Sequence, residues 1–257
     1  MKGINVIGLY TMVRREVERS ILRVAVQAIV SPLISAFLFI FIFGFILGKR
    51  IELIAGISYM QFVFPGILMM NILTASFIAS SHALYFSRFV KTIEEIFVAP
   101  LSYGEMIIGF TGSAVIRSLI IALGILSIGL LFGAVTFVWL PLFLFYALGI
   151  SVVFSLLGII VGLWSKGFEQ LNVLNTFIIM PLSFLGGMFY SIEFLPESMR
   201  IITLWNPFFY FIDGMRYSMT GVSESNLLFG AVFIIFLITG LATLVWYLFK
   251  IGWRLRD

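Results

Sequence analysis

The chain has 257 residues, of which 61% are apolar and only 11% charged, with a formal net charge of +4, one histidine and no cysteine. Soluble domains carry about 25% charged residues, so a water-surrounded globular fold is excluded and the bilayer is the solvent. The missing cysteines exclude disulfides and thiolate chemistry, and the single His82 argues against a resident metal. The basic residues lie around apolar segments rather than in the stripe that nucleic acid requires.

At the start of the chain, Val6, Leu9, Tyr10, Val13, Val17 and Ile21 recur at helical spacing opposite Asn5, Arg15, Glu16 and Arg19. This predicts an amphipathic helix lying on the membrane surface. Lys2 is followed by this mixed segment, so a cleavable signal peptide is not expected. Charge-free runs then cover 24–48, 53–87, 118–165, 170–192 and 226–249, each long enough for a helix that needs about 20 residues to cross. The run 118–165 has twice that length, and Gly133 to Thr136 with Pro141 mark a turn inside it. Six spans are predicted, at about 24–47, 59–85, 105–132, 137–164, from 171, and 227–249. Pro32 and Pro65 fall inside spans, where kinks are tolerated.

The connection 86–103 combines an amphipathic pattern with a stop at Pro100. Phe89, Ile93, Ile96 and Phe97 share one helical face, and Lys91, Glu94 and Glu95 lie elsewhere. A short helix with an apolar ridge suits a groove on a partner protein; the alternative is a helix on the lipid headgroups, which two adjacent acids disfavour. Gly109, Gly112, Ser113, Gly124 and Gly129 are expected to let a helix pair approach closely. The stretch 183–217 is apolar but broken by Gly186, Gly187, Pro196, Asn206 and Pro207, and its charges leave pieces of about a dozen residues, too short to span. Re-entrant or interfacial helices fit it better.

An even number of crossings puts both termini on one side. Lys2, Arg14, Arg15, Arg19, Arg23, Arg88, Lys91, Lys166, Lys250, Arg254 and Arg256 fall on that side, against Lys49, Arg50, Arg200 and Arg216 on the other. The positive-inside rule makes the first side cytoplasmic. The acids Glu52, Glu193, Glu197, Asp213 and Glu224 read as scattered along the external edges, without the convergence a membrane-embedded enzyme needs.

The run Thr92-Ile93-Glu94-Glu95-Ile96-Phe97-Val98-Ala99-Pro100 resembles the coupling-helix region of ABC-2 type exporter permeases. Pro181 to Ser191, then Leu195-Pro196, Asn206-Pro207 and Gly214-Met215-Arg216-Tyr217, is similar to that family's signature after its fifth span. Ser58 to Phe62 followed by Pro65-Gly66 resembles the YadH-type branch. The resemblance covers nearly the whole chain and implies one all-α membrane domain over residues 1–257. It has six transmembrane helices, an N-terminal interfacial helix, a cytoplasmic coupling helix and an outer re-entrant hairpin. It further implies a multi-pass protein of the bacterial inner membrane that pairs with a second, identical copy. Separate ABC ATPase subunits would bind the ATP and Mg, and an amphipathic or lipid-like substrate would be exported. Phe89, Lys91, Thr92, Glu94, Glu95 and Phe97 would then serve ATPase coupling, and Phe189, Tyr190, Phe208 and Phe209 an outer gate. No phosphate-cradling Gly-x-x-x-x-Gly-Lys-Ser/Thr loop is present, consistent with a non-enzymatic subunit without a cofactor of its own. An ATP-independent channel or carrier is the nearest alternative.

Arg117 lies fourteen residues past Tyr103, roughly 20 Å along a helix. A charge at such depth costs roughly 2.5–3.5 kcal/mol on insertion scales and faces protein or a wet cavity. Contact with an anionic substrate group and bonding to helix carbonyls, Asn71 or Asn175 are both open. Asn71, Asn175 and Thr176, with Thr74 and Ser76, are further pathway candidates against simple helix-to-helix bonding.

Overall fold

The computed structural model describes residues 5–22, 26–48, 51 and 53–255. Lys2, Arg23, Lys49, Arg50 and Arg256, used above for orientation, and Glu52, read above as an edge acid, lie outside the described residues, as does the side chain of Ile21. The described fold is nearly all helical, with α1 (Val6–Val17), α2 (Ser31–Phe39), α3 (Tyr59–Phe89), α4 (Thr92–Val98), α5 (Tyr103–Leu131), α6 (Leu140–Trp164), α7 (Met180–Leu185), α8 (Glu197–Trp205), α9 (Pro207–Thr220) and α10 (Leu227–Ile251).

Among the described residues, six segments are long and apolar enough to cross a bilayer: Val26–Gly44, α3, α5, α6, Phe168–Leu185 and α10. The third and fourth separate at Phe132 to Trp139, where the sequence places its turn. The first and fifth are not plain α-helices. The first is π-helical over Val26–Val30 and Ile40–Leu47 on either side of α2, and the fifth runs from a 3₁₀ turn (Phe168–Asn172) through a π turn (Asn175–Ile179) into α7. Pro32 and Pro181 each stand just after such a widened turn, where the ring removes a donor and the backbone shifts its pairing.

The centre of the fold is α3. It opens on a capping box between Ser58 and Gln61 and is buried along most of its length by α5, α6 and α9. The close contact with α6 depends on small residues. A side chain at Gly158 would strike Ser80 and the Phe77 carbonyl, and one at Gly162 would strike the Ser81 carbonyl at 2.8 Å. Ser80 takes the space and donates to the Ser155 carbonyl at 2.8 Å. The glycines predicted to bring a helix pair together serve differently: Gly109 receives Met12, Gly124 receives Leu33, and Gly129 receives Phe64 and Val135. They are sockets for side chains of α1, the first span, α3 and the 132–139 turn, because α5 meets these elements rather than only α6.

Gly158→Leu should therefore cost about 1–3 kcal/mol through overpacking of the α3–α6 seam. Gly112→Ala, whose new methyl group would lie 3.7 Å from Val13, should be tolerated. Thermal unfolding of both variants in detergent checks the contrast.

Candidate functional site

At the end of the bundle that carries Asn5 and Leu255, α1 and α4 form one platform. Met12, Ile93, Ile96, Met106, Phe249 and Leu255 share a core there. Asn5 caps α1 by accepting the Gly8 N–H at 2.9 Å, and its own backbone N–H donates to Glu105 at 2.5 Å. Glu105 also closes the capping box of α5 with Ser102. One carboxylate thus ties the start of α1 to the start of α5.

The apolar ridge of α4 faces inward. Ile93 and Ile96 are buried in the platform core, Phe97 is half-buried against Tyr103 and Phe249, and the exposed positions are Glu94, Glu95 and Val98. This corrects the expectation that the ridge is offered to a partner: burying two isoleucines at home is favourable, and an acidic surface is left outside. Thr92 donates to the Ser87 carbonyl at 3.4 Å, Phe89 is exposed and edge-on to Phe168 at 5.4 Å, and Lys91 turns the chain with φ at 60°. A groove of about 260 Å³ separates α4 from Gly8, Met12 and Arg15 of α1. Glu16, expected on the solvated side of α1, is instead fully buried between Arg15 at 2.8 Å and Arg19 at 2.7 Å. Arg19 in turn donates to the Ala83 carbonyl at 2.8 Å, while Val6, Ile7 and Tyr10 are the exposed side of α1. A buried acid is tolerable only with such partners.

At the opposite end, the broken stretch folds back on α3. Asn206 donates to the Leu182 carbonyl at 2.6 Å and accepts the Phe208 N–H at 3.0 Å, which closes the turn between α8 and α9. Arg216 on α9 is fully buried. It donates to the Gly187 carbonyl at 2.6 Å and the Phe62 carbonyl at 3.2 Å, and its guanidinium lies 3.8 Å from the centre of the Phe62 ring. Asp213 at 3.4 Å and Glu224 at 3.6 Å balance its charge. Asp213 further accepts the Ser225 N–H at 2.8 Å and the Ser225 hydroxyl at 2.6 Å. Asp213 and Glu224 are therefore not scattered edge acids. They converge on one arginine, because the turn after α9 brings Glu224 back beside Asp213. The signal for half of this was present as Asp213-x-x-Arg216, one helical turn apart.

The four proposed gate residues do not form one ring among the described residues. Phe189 stacks on Phe43 at 4.2 Å and on Phe39 and Phe184, and Tyr190 donates to the Leu185 carbonyl at 2.9 Å. Phe208 is buried against Phe154, and Phe209 is buried beside Tyr210 and the Gly187 turn.

Between the two ends, polarity is uneven. Asn71, Thr74, Ile78 and His82 form the one half-open stripe of the otherwise buried middle of α3, at helical spacing. Asn172 and Thr176 are exposed on the adjoining fifth span. Gln27, Ser31 and Ser35 are exposed on the first span. Asn71 donates to the Ile67 carbonyl at 2.8 Å, Asn175 is buried with its side-chain oxygen unpartnered, and Arg117 reaches the Ala28 carbonyl at 3.5 Å. Pro32, four residues past Ala28, has no N–H to give that carbonyl. By contrast α10 exposes Leu228, Val232, Ile235, Phe236, Leu244 and Trp246, and its Thr239 and Thr243 hydroxyls donate to helix carbonyls. That is a lipid-facing surface.

Comparison with known proteins gives this architecture its family. Residues 8–220 match the model of the ABC-2 type transporter. The chain belongs to the ABC-2 type transporter family. It is 33% identical over 216 residues to the inner membrane transport permease YadH of Escherichia coli (strain K12), which covers 82% of each chain. It is also 25% identical over 186 residues to nodulation protein J of Rhizobium leguminosarum bv. viciae, covering 70% of each, and 26% identical over 180 residues to nodulation protein J of Rhizobium meliloti, covering 68% of this chain and 67% of the relative. As an ABC-2 permease the chain is a membrane-spanning transport subunit, and the family implies an ABC ATPase as a separate partner. Its apolar helices and the inner membrane relative support a multi-pass protein of that membrane.

Arg216→Met should cost about 3–5 kcal/mol, since it leaves Asp213 and Glu224 buried without a counter-charge. The melting temperature should fall and a Tyr190→Cys reporter should react faster with maleimide. The chain has no native cysteine to confuse that readout.

Proposed function

We propose that this permease is half of an exporter. Two copies close over the face formed by the first span, α3 and the fifth span, and an amphipathic cargo moves along it from the cytoplasm or inner leaflet. Both termini are cytoplasmic, ABC ATPases dock on the α1–α4 platform, and the Gly186 to Thr220 hairpin covers the outer exit. The observation that carries this reading is the polar face. An amide such as Gln27 or Asn172 gains nothing from contact with lipid tails, so a face that exposes several of them is covered by protein or water in the working assembly.

In this reading Glu94, Glu95 and Lys91 are the contact made with the ATPase, and Phe89, Thr92 and Phe97 hold α4 at the angle that presents them. ATP and Mg are bound by the ATPase and supply the free energy; this chain transmits the motion. Closure of the ATPases displaces the α1–α4 platform, and Glu105, bonded to Asn5 and Ser102, keeps the start of α1 moving with the first turn of α5. Arg117, Asn71, Asn175 and Thr176 line the pathway, and Phe189 with Tyr190 forms its outer stop beneath the hairpin.

Reversing both charges, Glu94→Lys with Glu95→Lys, should reduce ATPase recovered with the tagged permease at least tenfold while leaving its melting temperature unchanged. Both side chains are exposed and have no partner to lose among the described residues. Full recovery of an ATPase with the reversed variant would overturn the assignment of α4, and failure of any ATPase to accompany the wild-type chain would count against the exporter itself.

A further inference from the structure

Arg117 is a cation inside a span whose surroundings do not complete it. Its single hydrogen bond among the described residues is the 3.5 Å contact to the Ala28 carbonyl, at the outer limit for such a bond, although a guanidinium carries five donors. Its Nε is buried without a partner, and among the described residues no carboxylate lies within ion-pair distance. Arg216 provides the internal comparison, because that buried guanidinium has two acids, two carbonyls and a ring face. The contrast marks Arg117 as a cation whose counter-charge is supplied from outside the chain.

The residues beside it have the same incompleteness. Nε2 of His82 is buried and unpartnered, and the ring lies close enough to Arg117 to feel its charge. Asn172 is exposed on the fifth span, and Gln27, next to Ala28, is exposed on the first span. These side chains come from four different spans and belong to the open polar face rather than to the packed core.

We infer that Arg117, His82 and Asn172 form a seat for the oxyanion of an anionic amphiphile, a phosphate, sulfate or carboxylate headgroup whose tails remain in the membrane. The inference rests on the exporter reading and narrows its cargo to anionic amphiphiles. Arg117 supplies the charge and up to four free N–H donors, His82 an imidazole nitrogen, and Asn172 an exposed amide from the fifth span. Tails suit the apolar cleft of about 380 Å³ between α6 and the fifth span, lined by Leu157, Trp164, Val173 and Phe177. A free inorganic anion has no use for that cleft.

The test is native mass spectrometry of the purified permease given phosphatidylglycerol, phosphatidylcholine or inorganic phosphate at equal concentration. Wild type should retain phosphatidylglycerol at least tenfold better than phosphatidylcholine and should not retain phosphate. Arg117→Gln should lose the preference and Arg117→Lys should keep most of it. His82→Glu, which places a carboxylate beside Arg117 and leaves the cation paired, should also lose it while remaining as stable as wild type. This keeps the test informative if Arg117→Gln folds poorly. Equal retention of the two lipids by wild type, a preference that survives in His82→Glu, or equal retention of phosphate would each overturn the seat. The measurement uses no ATPase, so a failed seat with an intact ATPase partnership leaves the exporter standing, and a lost partnership leaves the lipid result to be judged alone.

Discussion

The structure depends on answering, from within the protein, every place where helical backbone is interrupted in a solvent that offers no hydrogen bonds. The Arg216 network is the fullest answer. It holds a non-helical glycine turn, a carbonyl of the central helix and the strand of chain after α9 in one buried cluster, with its charge balanced by Asp213 and Glu224. The same logic recurs at lower cost elsewhere. Arg88 donates to the Gly162, Leu163 and Ser165 carbonyls at 2.8–3.2 Å, and Arg254 donates to Trp164 at 2.6 Å, so the last turn of α6 ends on two cations. Asn206 closes the hairpin turn, and Glu105 closes two helix starts at once.

These fastenings also divide the molecule mechanically. The α3–α6 seam is narrow, serine-bonded and without room for a side chain at Gly158, so the pair moves as one body. The first and fifth spans contain wide and tight helical turns and are largely exposed on the single chain. They are the elements with freedom to rearrange around α3. Their exposed amides belong to the same face of the bundle as the half-open stripe of α3.

Much of the fold was legible beforehand because spans are written in composition: the predicted spans and the turn near Pro141 correspond to the observed helices within a few residues. What could not be read was which side a residue faces. Ile93 and Ile96 have the pattern of an exposed ridge, yet a cluster drawn from α1, α3, α5, α6 and α10 buries them. Glu16 has the pattern of a solvated residue, yet Arg15 and Arg19 pair with it, and Arg19 is anchored on the Ala83 carbonyl of α3. The Arg216 cluster joins residues from α3, the Gly187 turn and the segment after α9, a juxtaposition that no periodicity encodes. Arg117 was legible as an anomaly from its depth alone. Its neighbours His82, Asn172 and Ala28 were not, since they lie on three other spans.

The central claim is that two copies of this chain close over the polar face of the first span, α3 and the fifth span. A single cysteine at Thr176 on that face and one at Val232 on the α10 face, each treated in native membranes with a short bis-maleimide, test it directly. The account predicts a covalent dimer from Thr176→Cys and only monomer from Val232→Cys. The reverse pattern, a dimer through α10 with Thr176→Cys monomeric, would contradict it.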